Sequence, residues 1–192
     1  MKTLTLKLDR VNLTDEQFYN LCLANPDRQL ERNSTGDLIV MSPVGGVSGN
    51  READFLIDLG IWNRQTGLGK IFSSSTIFRL PQGGDRSPDA AWVSLEKWQS
   101  LSREDQEKFP PLCPDFVLEL RSRTDRLDEL QAKMEEYLAS GLRLGWLINP
   151  QDQTVEIYRP KNPVEIKTLP TILNGENVLP EFSLQIARFD EV

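Results

Sequence analysis

A chain of 192 residues with 39% hydrophobic and 27% charged side chains lies in the size range of one folded domain, and its four Trp and eight Phe are spread along it as in an ordered protein. Histidine is absent, which removes Ser-His-Asp and Cys-His nucleophiles, histidine zinc sites and nucleases with a histidine base; catalysis would have to rest on carboxylates, Lys, Arg, Tyr or a hard metal. The net charge of −7 and a pI near 4.8 argue against a protein that coats nucleic acid by broad electrostatics.

The first run, "MKTLTLKLDR", alternates like a strand from Thr3 to Leu8 and has no signal-peptide core. No apolar run approaches the roughly 20 residues a membrane helix needs, so a cytoplasmic protein without membrane contact is expected. "LTDEQFYNLCLANP" reads as a short helix, with Thr14 and Gln17 suited to a capping box, Phe18, Leu21 and Cys22 on one face, and Asn25-Pro26 as its stop. "QLERNSTGDLIVMSP" then predicts a hairpin turning at Gly36. A helix from about Asn50 to Gln65 carries Phe55, Leu59 and Trp62 on one face, and Gly67 and Gly69 end it.

"KIFSSSTIFRLP" is strand material, followed by the turn "QGGDRSP" and a strand in "RSPDAAWV". Leu95 to Phe109 is charged and helix-like. A strand Phe116 to Arg121 and a helix Asp125 to Ser140 come next, and "RLGWLINP", "TVEIYRP" and "VEIKTLP" supply three more strand-like runs. The unit from 116 to 148 has the form of a right-handed parallel crossover. No repeat or Gly/Ser-rich linker divides the chain, so a single domain over residues 1–192 is expected. The order of elements predicts an α/β (α+β) fold with a central mixed β-sheet flanked by helices.

Two cysteines, Cys22 and Cys113, provide neither a disulfide framework nor a zinc site, and read as buried or incidental thiols. The glycine turns match no phosphate-loop or dinucleotide pattern. The chemistry lies in the acids. In the strand at 116, Phe116, Leu118 and Leu120 point one way while Val117, Glu119 and Arg121 point the other. A mid-strand carboxylate on a covered face needs a partner. Arg121 is one candidate, which would make the two a simple surface pair; a metal ion is another.

Asp89 shares a strand face with Ala91 and Val93, and Ser-Pro-Asp is also ordinary turn chemistry. Brought together, Asp89, Glu119 and the Leu120 carbonyl would suit Mg²⁺ or Mn²⁺, which activates water and stabilises charge on phosphate. On the helix after 125, the apolar stripe is Leu127, Leu130, Met134 and Leu138, with Arg126, Lys133 and Tyr137 along one border. Lys133 there can reach the sheet edge or can snorkel to solvent.

With these residues in hand, the chain resembles the Uma-two family of restriction-endonuclease-like proteins, within the PD-(D/E)XK nuclease superfamily. The resemblance runs from "LERNSTGDLIVMSP" through "RSPDAAWV" and "CPDFVLELRS" to "KMEEYLASGLRLGWLINP" and "LPEFSL". It implies a restriction-endonuclease-like core and a divalent-metal site on Asp89 and Glu119. The superfamily's lysine, two residues after the second acid, is replaced by Arg121, which holds its proton too firmly to be a base but can contact phosphate. The resemblance places Lys133 in the lysine's role and makes Glu31 a candidate third metal carboxylate, though Glu31 also reads as an ordinary strand-surface residue. Two functions follow as expectations: a Mg²⁺- or Mn²⁺-dependent endonuclease acting on DNA, with a homodimer implied by the superfamily, or a noncatalytic interaction module keeping the same fold.

Overall fold

Residues 3–189 are described by the computed structural model. β1 (Leu4–Leu6) is the centre of the alternating N-terminal run, and α1 (Asp15–Ala24) starts at the predicted capping box. Thr14 Oγ1 accepts from the Gln17 amide at 3.2 Å, and the Gln17 side chain accepts from the Thr14 amide at 2.9 Å. β2 (Leu30–Arg32) and β3 (Leu38–Val40) form the expected antiparallel hairpin, with Glu31 opposite Ile39.

α2 (Gly46–Thr66) begins about four residues before the periodicity placed it. Gly46 and Gly49 lie in its first turns and hide its start, because glycine carries no apolar signal and little helix propensity. Phe55, Leu59 and Trp62 are buried as expected, and Gly67 ends the helix in the left-handed region at φ 65°. Gly69 does not close the helix. It opens β4 (Gly69–Ser73), where a Cβ would lie 2.3 Å from the Val93 carbonyl oxygen.

The following strand material divides into β4 and β5 (Phe78–Arg79); β6 (Asp85–Arg86) and β7 (Ala90–Ser94) come next. The charged stretch after 94 folds as two short helices, α3 (Leu95–Gln99) and α4 (Arg103–Glu107), the second capped by Ser102. β8 (Phe116–Leu120) leads through α5 (Leu127–Ala139) to β9 (Leu144–Asn149), followed by β10 (Thr154–Tyr158) and β11 (Glu165–Thr168). α5 starts later than predicted because Asp125 caps a turn instead, accepting from the Ser122 amide at 2.8 Å. β12 (Thr171–Asn174) and β13 (Ser183–Ile186) are a final hairpin that strand-length patterning did not reveal.

The strands assort into a six-stranded sheet ordered β11-β10-β9-β8-β7-β4, a five-stranded sheet ordered β1-β3-β2-β6-β5, and the β12–β13 pair. In the six-stranded sheet β8 and β9 run parallel, joined through α5, and every other neighbouring pair is antiparallel. This is the mixed α/β architecture the element order predicted.

The two faces of that sheet carry separate cores, divided by strand alternation. Phe116, Leu118 and Leu120 of β8 pack with Phe55, Leu59 and Trp62 of α2 and with Leu173, Phe182 and Leu184 of the last hairpin. Val117 packs on the other face with Ala91, Val93, Leu147 and the α5 residues Met134 and Tyr137. Glu119 follows the Val117 face, so it points under α5. At roughly 1.5–3 kcal/mol for each large apolar side chain buried, these cores hold the acid in place.

Candidate active site

The site forms where the two larger sheets meet. β2 and β6 of the five-stranded sheet bring Glu31 and Arg86; Ser87-Pro88-Asp89 then carries the chain across to β7 in the six-stranded sheet. Asp89 lies just before β7, and its Oδ2 accepts from the Leu120 amide at 2.6 Å, binding the crossing segment to the end of β8. Turn chemistry and site chemistry are thus the same residue. Glu119 is one position earlier on β8, buried beneath the helix.

α5 presents a different face from the one its apolar stripe suggested. Lys133, Met134 and Tyr137 are its buried residues, whereas Leu127, Leu130 and Leu138 are only partly covered. Lys133 and Tyr137, one turn apart, both reach Glu119: Lys133 Nζ lies 2.8 Å from Glu119 Oε1, and the Tyr137 hydroxyl donates to the same oxygen at 3.1 Å. Lys133 also meets Glu31 Oε1 at 3.0 Å and donates to the Ser87 carbonyl at 2.9 Å. All three ammonium protons are therefore directed. Arg126, expected on the same border, is exposed at the start of α5 and pairs with Asp128.

Glu31 is enclosed by donors. Besides Lys133 it accepts from Arg86 at 2.9 Å and from the Ser87 amide at 2.9 Å. Arg86 reaches on to Glu136 at 2.6 Å, and Glu136 accepts from the Ser34 amide and hydroxyl. Among the described residues no group of three or more His, Cys, Asp or Glu side chains is placed to hold an ion. Glu31, the candidate third metal carboxylate, is here the counter-ion of Lys133 and Arg86.

Arg121 is also differently placed. It lies past the last β8 residue, and its guanidinium is held by Asn149 and Asp152, each at 3.2 Å, and by the Asp125 carbonyl. It pairs with neither Glu119 nor Asp89, so the expected surface pair of Arg121 with Glu119 does not form. Strand alternation ended at Leu120, and the pull of Asp152 decided the rest.

The electrostatics are unbalanced. Burial, then the charge of Glu119, pushes the Asp89 carboxyl well above the usual carboxylate range. Glu119 is also raised by burial, with Lys133 opposing. Burial works against the Lys133 charge as well, but Glu119 and Glu31 overcome it and keep the ammonium protonated. Glu31 ends below its ordinary value because Lys133 and Arg86 outweigh its own burial. Four carboxylates, Glu31, Asp89, Glu119 and Glu136, face two cations, Lys133 and Arg86. When all are ionised, two negative charges are left over.

Asp89, Glu119 and Leu120 line one cavity of about 580 Å³. Asp89 uses one oxygen on the Leu120 amide and Glu119 uses Oε1 on Lys133 and Tyr137; neither second oxygen accepts a hydrogen bond among the described residues. Two carboxylates with open oxygens and an excess of two negative charges fit a hard divalent cation, which takes one or two protein carboxylates and completes its shell with water. Glu52 of α2 lines the same cavity and contributes to raising Asp89.

Glu52, Arg86 and Glu136 escaped the sequence reading, and Tyr137 was seen only as a border residue. Arg86 had a usable signal, since an acid centred in the β2 hairpin needs a cation and Arg86 sits in the quoted "RSPDAAWV".

The Uma2 family, described as "Putative restriction endonuclease", matches residues 15–187. Among solved structures, the chain is similar to one described as a putative nuclease belonging to DUF820 from Anabaena variabilis ATCC 29413, with a TM-score of 0.72 and 17% identity over 83% of this chain and 88% of that one. At that identity the likeness speaks to the fold. No curated protein matches the chain significantly.

Proposed function

The chain belongs to the Uma2 family of restriction-endonuclease-like proteins, and from that membership and the site geometry we propose that it is an endonuclease hydrolysing DNA phosphodiester bonds with Mg²⁺ or Mn²⁺. The observation that carries this reading is the convergence of Asp89, Glu119 and Lys133 on one cavity from three elements distant in sequence.

Asp89 and Glu119 would hold the ion, which when bound lowers the pKa of water and offsets charge on the phosphate. Lys133, kept protonated by Glu31 and Glu119, supplies a fixed positive charge to the attacking water or a phosphate oxygen; it is not a general base in this state. Glu31 and Arg86 orient Lys133, and Tyr137 fixes the rotamer of Glu119.

Cleavage of supercoiled DNA in Mg²⁺ or Mn²⁺ tests the proposal. Asp89→Ala and Glu119→Ala each lower the rate by at least about 100-fold, more than loss of an outer hydrogen-bond partner costs. Equal cleavage by both variants would attribute the activity to a contaminant. The commitment of all three Lys133 protons to protein acceptors favours a second reading, a noncatalytic module on the same fold. Calorimetry separates the two, because the module shows no Mn²⁺ binding that depends on both acids.

A further inference from the structure

We propose that β11, the outer strand of the six-stranded sheet, is a docking edge for a second copy of this chain, which pairs with it antiparallel about a two-fold axis at Ile166. The proposal goes beyond the nuclease reading and does not depend on it. β11 is paired along one side only, by β10. Among the described residues no group hydrogen-bonds to the backbone of Glu165–Thr168 from its other side. A row of open amides and carbonyls is a template for another strand. The opposite end of the sheet is less free, because α2 and α3 pack against β4.

The side chains of β11 say which strand fits. Glu165 and Lys167 lie opposite Ile157 and Val155 and share the face of the α2 core, while Ile166 lies opposite Glu156 on the α5 face. Ile166 is 65% exposed, more than any other aliphatic side chain among the described residues, and Val164 on the same face is exposed as well. Lys167 meets one acid among the described residues, Glu165 of its own strand, at 3.7 Å.

Symmetry then selects the register. When two copies of one strand pair antiparallel across an axis perpendicular to the sheet, the residue on the axis faces itself, and residues equally far on either side of it face each other. Centring on Glu165 or on Lys167 sets that charge against its own copy, which is destabilising. Centring on Ile166 sets Ile166 against Ile166, Val164 against Thr168, and Glu165 against Lys167 twice. Of the three registers, this one makes β11 complementary in charge to itself. The pairing is also self-limiting, since Pro163 and Pro170 bound the segment and proline lacks the amide a longer ladder would need. Each copy uses the same edge, so the assembly closes as a dimer and does not grow into a fibre. An interface built on one short strand lies at the small end of specific contacts, so the dimer is weak and dissociates on dilution.

Sedimentation of the full chain over rising concentration reads the association. A monomer–dimer equilibrium is expected, and monomer alone up to about 1 mM overturns the proposal. Lys167→Glu places two like-charged pairs across the axis and raises the dimer dissociation constant on the order of tenfold, whereas adding Glu165→Lys to it returns the constant to near the wild-type value. A single variant without effect, or a double variant no tighter than the single one, overturns the register and the proposal with it. Under oxidation Ile166→Cys gives a covalent dimer, because residues directly opposite in an antiparallel pair have Cα atoms about 4.5–5.5 Å apart, within the span of a disulfide. Thr168→Cys, also exposed, does not, since its copy lies more than about 7 Å away. The wild type, with Cys22 and Cys113, supplies the background. Equal cross-linking at both positions, or a dimer that cross-links at neither, overturns the proposal.

Discussion

β6 contributes one buried residue to each of two charge clusters, and the contrast between them separates structure from chemistry. Asp85 is met by Arg32 at 2.6 Å and Arg79 at 3.1 Å, and Arg32 also pairs with Asp15 at 2.5 Å. Two carboxylates face two cations, and none of the four lines the cavity. Next along the strand, Arg86 belongs to the cluster of Glu31, Asp89, Glu119, Lys133 and Glu136, which has acids in excess and opens onto the cavity. A balanced cluster away from the cavity, though Asp15 at its edge is exposed, serves to hold two elements together. An unbalanced, open one retains negative charge that a ligand can relieve, and such groups are characteristic of functional sites.

The contrast breaks most visibly at Asp85. Asp85→Ala leaves two arginines with only the half-exposed Asp15 as an acid partner and is expected to cost about 3–5 kcal/mol, the price of breaking a buried pair, while the variant that still folds at low temperature binds Mn²⁺ as the wild type does. Denaturant unfolding and calorimetry give both numbers. Mn²⁺ itself sharpens the contrast from the other side: at 100 times its dissociation constant it stabilises the protein by about 2.7 kcal/mol, an effect absent in Asp89→Ala. A thermal shift that survives in that variant would place the ion elsewhere.

Asp89→Asn should behave opposite to Asp85→Ala. The amide oxygen still accepts from the Leu120 amide, and the substitution removes one uncompensated charge from beside Glu119. Stability rises by about 1 kcal/mol, or roughly 2–4 °C in Tm for a chain of this size, as activity is lost; a fall in Tm would show the cluster to be balanced like its neighbour. The smallest effect lies at the rim, where the Lys7 amine and Asn33 hold the Asp37 carboxyl down to about 2. A depressed acid contributes stability that is complete above its unfolded value near 3.8 and lost as pH falls toward about 2. Acid unfolding followed by tryptophan fluorescence should therefore be shallower in Asp37→Asn over that window, because this variant is already less stable at neutral pH and converges on the wild type as pH falls toward about 2.

Much of the scaffold was written in local patterns. The capping box of Thr14 and Gln17, the hairpin around Gly36 and the alternation of Phe116 to Leu120 each depend on contacts within a few residues, so they appear in the sequence as they do in the fold. That alternation also placed Glu119 on a covered face. The early start of α2 and the β12–β13 hairpin were not legible, since glycines mask the first and the second is defined by what it covers, the apolar face shared by Trp146 and Leu118.

From the residues alone, then, came the element order, the candidate acids and the exclusion of histidine chemistry, because composition and short-range periodicity are properties of the chain itself. The identity of each acid's partner was decided only in three dimensions. Lys133 is buried through its contacts with Glu119, Glu31 and the Ser87 carbonyl, Arg121 turned to Asp152 once its strand had ended, and Glu31 became a counter-ion because Arg86 arrived from β6. A buried charge is stable only where opposite charges and dipoles converge on it, and that convergence belongs to the packing of distant segments.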